Sequence, residues 1–191
     1  QANATSALGI DPRSVEKSMY DVILNDVNLS HCIIKSQWEL LSVAPSNLDL
    51  AGAEIELVSA FNRERLLDGA ISSVISEYDF VLIDCPPSIG LLTVNALTAA
   101  SEVLVPIQCE YLALEGLGQL LSNVERVKTH LNKELHISTI ALVMFDARTK
   151  LAGQVVEEIR SHFGERVCQQ TVPRSVRLSE APSYGLPIIY Y

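Results

Sequence analysis

The stretch Tyr78-Asp79-Phe80-Val81-Leu82-Ile83-Asp84-Cys85-Pro86-Pro87-Ser88-Ile89-Gly90 decides the fold. Its apolar run over residues 80–83 has the length of a strand buried on both faces and ends on a single carboxylate. Two prolines follow at once, where they stop a backbone ladder and turn the chain. Such a strand, covered on both sides, belongs to a parallel sheet between helices.

Working outward, three further apolar segments read as strands: residues 40–44, 103–107 and 137–145, with a shorter fifth near 167–172. Segments of helical period alternate with them. Residues 54–76 carry Leu57, Val58, Phe61, Leu67, Ile71, Val74 and Ile75, with a break expected at Asp68-Gly69. Residues 115–131 place Leu117, Leu120, Leu121, Val124, Val127 and Leu131 on one stripe. Residues 154–163 repeat the pattern and stop at Gly164, a residue suited to the end of a helix. The expectation is an α/β fold with a mostly parallel sheet, its crossovers right-handed, in one domain spanning residues 1–191.

Composition narrows the function. The longest apolar runs fall far short of the roughly 20 residues that cross a bilayer, and residues 1–11 lack the basic and apolar regions of a secretory signal. A soluble, cytoplasmic protein is expected. Cys32, Cys85, Cys109 and Cys168 show no ligand spacing and read as reduced, mostly buried thiols; His31, His130, His136 and His162 are equally scattered. The net charge of −9 argues against a broad nucleic-acid surface, so DNA contact has to be local.

Ligands of open parallel sheets bind beyond the carboxyl ends of the strands. Asp84 stands there, and a carboxylate held rigidly at a sheet rim suits Mg²⁺, which takes oxygen ligands and keeps several waters. Taken alone, Asp84 reads equally as a turn residue or as a cap for a helix starting near Gly90. Glu110 and Glu115 read as paired acids only weakly, and Trp38 reads as packing against a sheet edge.

YDFVLIDCPPSIGLLTVNALTAASEVLVPIQCEYLALEG (residues 78–116) resembles the Walker B region of the ParA/Soj family of chromosome-partitioning ATPases, within the MinD/ParA superfamily. The resemblance extends to QANATSALGID (1–11), LAGAEIELV (50–58), FDARTKLAGQVVEEI (145–159) and TVPRSVRLSEAPSYGLPI (171–188). It implies a three-layer P-loop NTPase-like fold with ATP and Mg²⁺ as cofactors. Asp84 would hold Mg²⁺ through water, and Pro86, Pro87, Ser88 and Gly90 would form a switch loop sensing the γ-phosphate. Pro173, with Arg174, Met144 and Phe145, would line the adenine pocket.

Arg148 and Arg177 match positions where the family contacts DNA; as isolated residues they read as solvated side chains or ion-pair partners. Lys150, Arg160 and Arg174 extend that basic surface in the expectation. Asn3, Thr5 and Ser6 are expected to cap or line an interface. The family also implies a homodimer in the ATP state, non-specific DNA and a ParB-type protein as partners, no membrane, and a nucleoid-associated cytoplasmic location.

No Gly-Lys-Thr or Gly-Lys-Ser occurs in the 191 residues, so the phosphate loop with its lysine, and the family's catalytic aspartate, are expected upstream of Gln1. The first βα-β unit, roughly forty residues, is expected there, and a further helix after Tyr191. Two other readings stand beside this one: a shortened, non-catalytic paralogue that keeps an interaction surface, and a MinD-like division-site ATPase. The Asp-Ala-Arg-Thr and Pro-Arg-Ser-Val-Arg segments favour the DNA-associated branch.

Overall fold

The computed structural model describes residues 2–86 and 88–191. The chain forms two compact units, one of residues 1–99 with 177–191 and one of residues 100–176.

The first unit is mainly helical. Helices α1 (Asn3–Ala7) and α2 (Met19–Leu24) precede a short hairpin of β1 (Ile34–Lys35) and β2 (Ser42–Val43), paired antiparallel. Then come α3 (Ala53–Glu56), continued by a 3₁₀ turn at Leu57–Ser59, α4 (Leu66–Ser72) and α5 (Leu91–Ala99). Ser18 starts α2 in a capping box: its hydroxyl accepts from the Tyr20 N–H, and Asp21 accepts from the Ser18 N–H at 2.9 Å. The core gathers Val22, Ile23, Cys32, Leu57, Ile71 and Ala96.

Three secondary-structure expectations change in this unit. The segment 40–44 is reduced to the two residues of β2 and is antiparallel, because Leu40 adopts a positive φ of 61° and Pro45 follows. Residues 80–83 form no strand: Phe80 and Leu82 are 87% and 92% exposed. A continuous apolar run becomes a doubly covered strand only with neighbours on both edges, and no ladder reaches this segment among the described residues. The helical break falls at residues 60–65, where Asn62 has a positive φ, while Gly69 lies inside α4.

Residues 177–191 return to the amino-terminal segment. Gly9 and Gly185 both have positive φ, and their backbones meet so closely that a Cβ on Gly185 would lie 2.6 Å from Gly9 Cα. Trp38 stacks on Tyr190, with centroids 4.2 Å apart and planes 9° from parallel, so its partner is an aromatic ring, not a sheet edge.

The second unit is a β-α-β-α arrangement. Strand β3 (Glu102–Gln108) runs parallel to β4 (His136–Val143), and α6 (Tyr111–His130) connects them, as expected for a crossover unit. The predicted stripe of α6 buries Leu117, Val124 and Val127. Helix α7 (Lys150–Phe163) starts on the Thr149 side chain, which accepts from the Ala152 N–H, buries Val155, Val156 and Ile159, and ends at Gly164 with φ 54°.

Val105 and Ile107 of β3 are buried while Leu104 is exposed, so β3 has one covered face where two were expected. Pro106 lies in this strand, tolerable because β4 pairs along one edge and the missing N–H costs no bond on the other. The expected fifth strand is present as two parallel bridges, Ile140 with Val167 and Phe145 with Pro173.

Candidate functional site

Two places carry the chemistry, one in each unit. In the first, Asp84 follows the exposed residues 80–82 and the half-buried Ile83 and is itself exposed. The loop after it leads into α5. Thr93 Oγ1 donates to the Ser88 carbonyl at 2.6 Å, and the Val94 N–H donates to the Gly90 carbonyl at 3.0 Å, so Ser88 and Gly90 form the entry of the helix. The carboxylate of Glu54, from α3, lies against Gly90 where a Cβ would stand, and accepts from the Leu92 N–H at 3.4 Å.

Helix α5 is anchored at its middle by Asn95, which is buried. Asn95 Nδ2 donates to the Arg63 carbonyl at 2.6 Å and the Leu91 carbonyl at 2.9 Å, while Oδ1 accepts from the Leu67 N–H at 3.1 Å. Pro86 is exposed; Pro87, the other proline of the expected switch loop, lies outside the described residues, as does Gln1. Cys85 is exposed where a buried thiol was expected, in a loop just past Ile83, which packs against the core; Cys32 and Cys109 are buried, and all four cysteines are free.

In the second unit the chain beyond β4 meets residues 172–174. The Phe145 N–H donates to the Val172 carbonyl at 3.0 Å, and the Arg174 N–H donates to the Phe145 carbonyl at 2.9 Å. This bridge puts Phe145, Pro173 and Arg174 together just past the carboxyl end of β4, next to Met144, whose φ of 56° turns the chain there. Glu110, two residues beyond β3, receives Arg174 Nη2 at 2.9 Å on Oε1. Glu110 is thus an ion-pair partner; the side chain of Glu115 lies outside the described residues.

One turn further, Asp146 organises the loop. It accepts the Arg148 N–H at 3.0 Å and takes Arg148 Nε and Nη2 at 2.9 and 2.7 Å. These hydrogen bonds hold the Asp146 carboxyl well below the usual carboxylate range, with the charges of Arg148 and Arg174 acting in the same sense. The Arg148 side chain remains 87% exposed. Arg160 Nη2 donates to the Gln169 carbonyl at 2.7 Å, and Arg177, in the other unit, is exposed. The expected cations are therefore partly committed to internal partners, and for Arg148 the ion-pair alternative is present in the structure.

Asp146, the first residue of the Asp-Ala-Arg-Thr segment, caps this turn with its side chain. The same turn occurs at Asp11-Pro12-Arg13-Ser14, with Arg13 Nε and Nη2 on Asp11 at 3.1 and 3.0 Å. Thr5, expected to cap or line an interface, is buried and accepts the Ser46 N–H at 2.9 Å. Among the described residues no three His, Cys, Asp or Glu side chains gather as a metal cluster, and no helix is long and apolar enough to cross a membrane.

A protein-family profile described as an AAA domain matches residues 1–137. The sporulation initiation inhibitor protein Soj of Bacillus subtilis is 51% identical over the whole of this chain, which spans 76% of that protein. The chromosome partitioning protein ParA of Myxococcus xanthus is 49% identical, again over the whole chain and 68% of its own length. The chain belongs to the ParA/Soj family of chromosome-partitioning ATPases. Among solved structures, cobyrinic acid a,c-diamide synthase of Mycobacterium smegmatis with bound ADP and magnesium superposes with a TM-score of 0.82 at 36% identity, over 95% of this chain and 73% of that one. The ParA/Soj chain thus has the P-loop NTPase-type α/β fold that its sequence predicts.

Proposed function

We propose that residues 1–191 form one partial nucleotide-binding domain of an ATPase that acts as a dimeric, DNA-associating switch in chromosome or plasmid partitioning. The observation that carries this reading is the bridge between Phe145 and Pro173, which gathers Met144, Phe145, Pro173 and Arg174 with the Asp146–Arg148 turn beyond one strand end. Strand ends are where open α/β folds hold their ligands. The apolar side chains there suit the faces of an adenine ring, and Arg174, held by Glu110, borders them.

In this reading Asp84 serves Mg²⁺. One exposed hard-oxygen donor fits an ion that takes most of its ligands from phosphate and water. Bound Mg²⁺-ATP supplies the phosphoanhydride bond whose hydrolysis resets the switch. The loop of Pro86, Pro87, Ser88 and Gly90 senses the terminal phosphate and passes its state into α5 through the Ser88–Thr93 and Gly90–Val94 hydrogen bonds. Phe80 and Leu82, exposed just before Asp84, leave this segment open to a pairing strand.

Arg148 and Arg177 are the DNA contacts of this reading, on a chain whose net charge of −9 confines phosphate binding to a few positioned cations. A ParB-type protein is the partner that stimulates hydrolysis, and the switch works in the cytoplasm on the nucleoid. The test is Asp84→Ala in the protein made from its complete gene. Mg²⁺-dependent ATP binding is expected to weaken by about 10- to 100-fold with the fold intact; unchanged Mg²⁺ dependence would remove Asp84 from the site.

A further inference from the structure

We infer that Glu54 is a positioning residue for the 84–90 loop: its carboxylate clasps the start of α5 and sets the path by which the loop enters that helix. This rests on the reading of the loop as the phosphate-sensing element.

The geometry is local to one unit. Glu54 reaches from α3 to the first turn of α5, where it accepts from the Leu92 N–H at 3.4 Å. The first N–H groups of a helix have no partner within it, and a carboxylate satisfies one while meeting the positive end of the helix dipole. Gly90 completes the fit. Its missing side chain is the space that the Glu54 carboxylate fills, so any Cβ at this position would collide with Oε1 and Oε2.

The rest of α5 is fixed independently. Asn95 ties its middle to the Arg63 carbonyl and the Leu67 N–H inside the core. With the middle of the helix held by Asn95, Glu54 restrains its first turn from α3, and the Thr93–Ser88 hydrogen bond extends the restraint one step into the loop.

Two substitutions address the same contact from opposite sides. Glu54→Ala removes the clasp, whereas Gly90→Ala pushes the clasp away. Glu54→Gln keeps an acceptor oxygen for the Leu92 N–H and serves as the conservative rescue. The experiment uses the protein from its complete gene, with hydrogen exchange of the peptide covering residues 84–95 and steady-state ATP hydrolysis as readouts.

Glu54→Ala is expected to speed exchange of that segment by about tenfold, the size of a lost helix cap. It should lower kcat several-fold while leaving ATP affinity within about twofold, because the residue acts on the loop and does not touch the nucleotide. Glu54→Gln should restore most of both. Gly90→Ala should match Glu54→Ala, and the double variant should be little worse than either. Unchanged exchange in Glu54→Ala, or strictly additive effects in the double variant, would overturn the clasp. Faster exchange with unaltered kcat in a protein that hydrolyses ATP would overturn the link to the loop's function. Absence of hydrolysis in the unaltered protein would count against the ATPase reading, and the exchange data would still decide the clasp.

Discussion

Arg148 lays Nε and Nη2 on the two carboxylate oxygens of Asp146, at 2.9 and 2.7 Å, while its guanidinium stays open to solvent. The guanidinium proposed to contact DNA is thereby oriented and partly neutralised by its own turn. Exposed pairs of this kind are weak in water, so the pairing orients the guanidinium without consuming its capacity to meet a phosphate.

This predicts opposite effects from the two partners. Arg148→Ala and Arg177→Ala should each weaken DNA binding of the complete protein uniformly across sequences. Each should reduce the slope of log affinity against log salt by about one. Asp146→Asn should tighten DNA binding a few-fold at low salt, because it removes the competing charge. Fluorescence anisotropy with random-sequence duplexes checks all three; equal salt slopes for Arg148→Ala and the unaltered protein would remove that assignment.

The same pair sets a pH dependence. A carboxyl whose folded pKa is depressed contributes stability above its unfolded value, about 3.9, and loses that contribution as the pH falls through the lower folded value. Asp146 is such a group, held down first by its side-chain hydrogen bonds from Arg148. Its ¹³C carboxyl resonance should stay that of the ionised form below about pH 3.9, and Arg148→Ala should bring the titration midpoint back up. A midpoint at the ordinary value in the unaltered protein would mean that the pair is absent in solution.

Asn95 offers a test of the core beneath the loop. Replacing it with Ala leaves the buried Leu67 N–H and the half-buried Arg63 carbonyl without their partner. The expected loss is about 2–3 kcal/mol of stability, read as a lower urea midpoint at an unchanged slope. A loss under about 0.5 kcal/mol, the level of an ordinary surface change, would show that water replaces the side chain.

Periodicity made the second unit legible. The stripes of α6 and α7, the strand over 102–108 and the parallel pairing with 136–143 all follow from spacing and from Gly164. The first unit was less so, for two physical reasons. An apolar run reports that burial is favourable, not that a neighbouring strand is present to pair with, and residues 80–83 lack one among the described residues. A single left-handed residue such as Leu40 ends a strand without any mark in the apolar pattern. The motifs single out Asp84, Arg148 and Pro173, which the structure places after the 80–83 segment, in the turn beyond β4 and in the bridge to Phe145. The Asp146 clamp, the Glu110–Arg174 ion pair and the Glu54 clasp join residues that only the folded backbone brings together, except for Asp146, whose spacing from Arg148 was visible.

The most direct test of a nucleotide-governed DNA switch is retention of random-sequence DNA by the protein from its complete gene, compared in Mg²⁺-ATP and in Mg²⁺-ADP. The account predicts DNA binding with ATP, little with ADP, and weakened ATP-state binding in Arg177→Ala. Equal DNA binding in both nucleotides, or none in either with ATP bound, would contradict it.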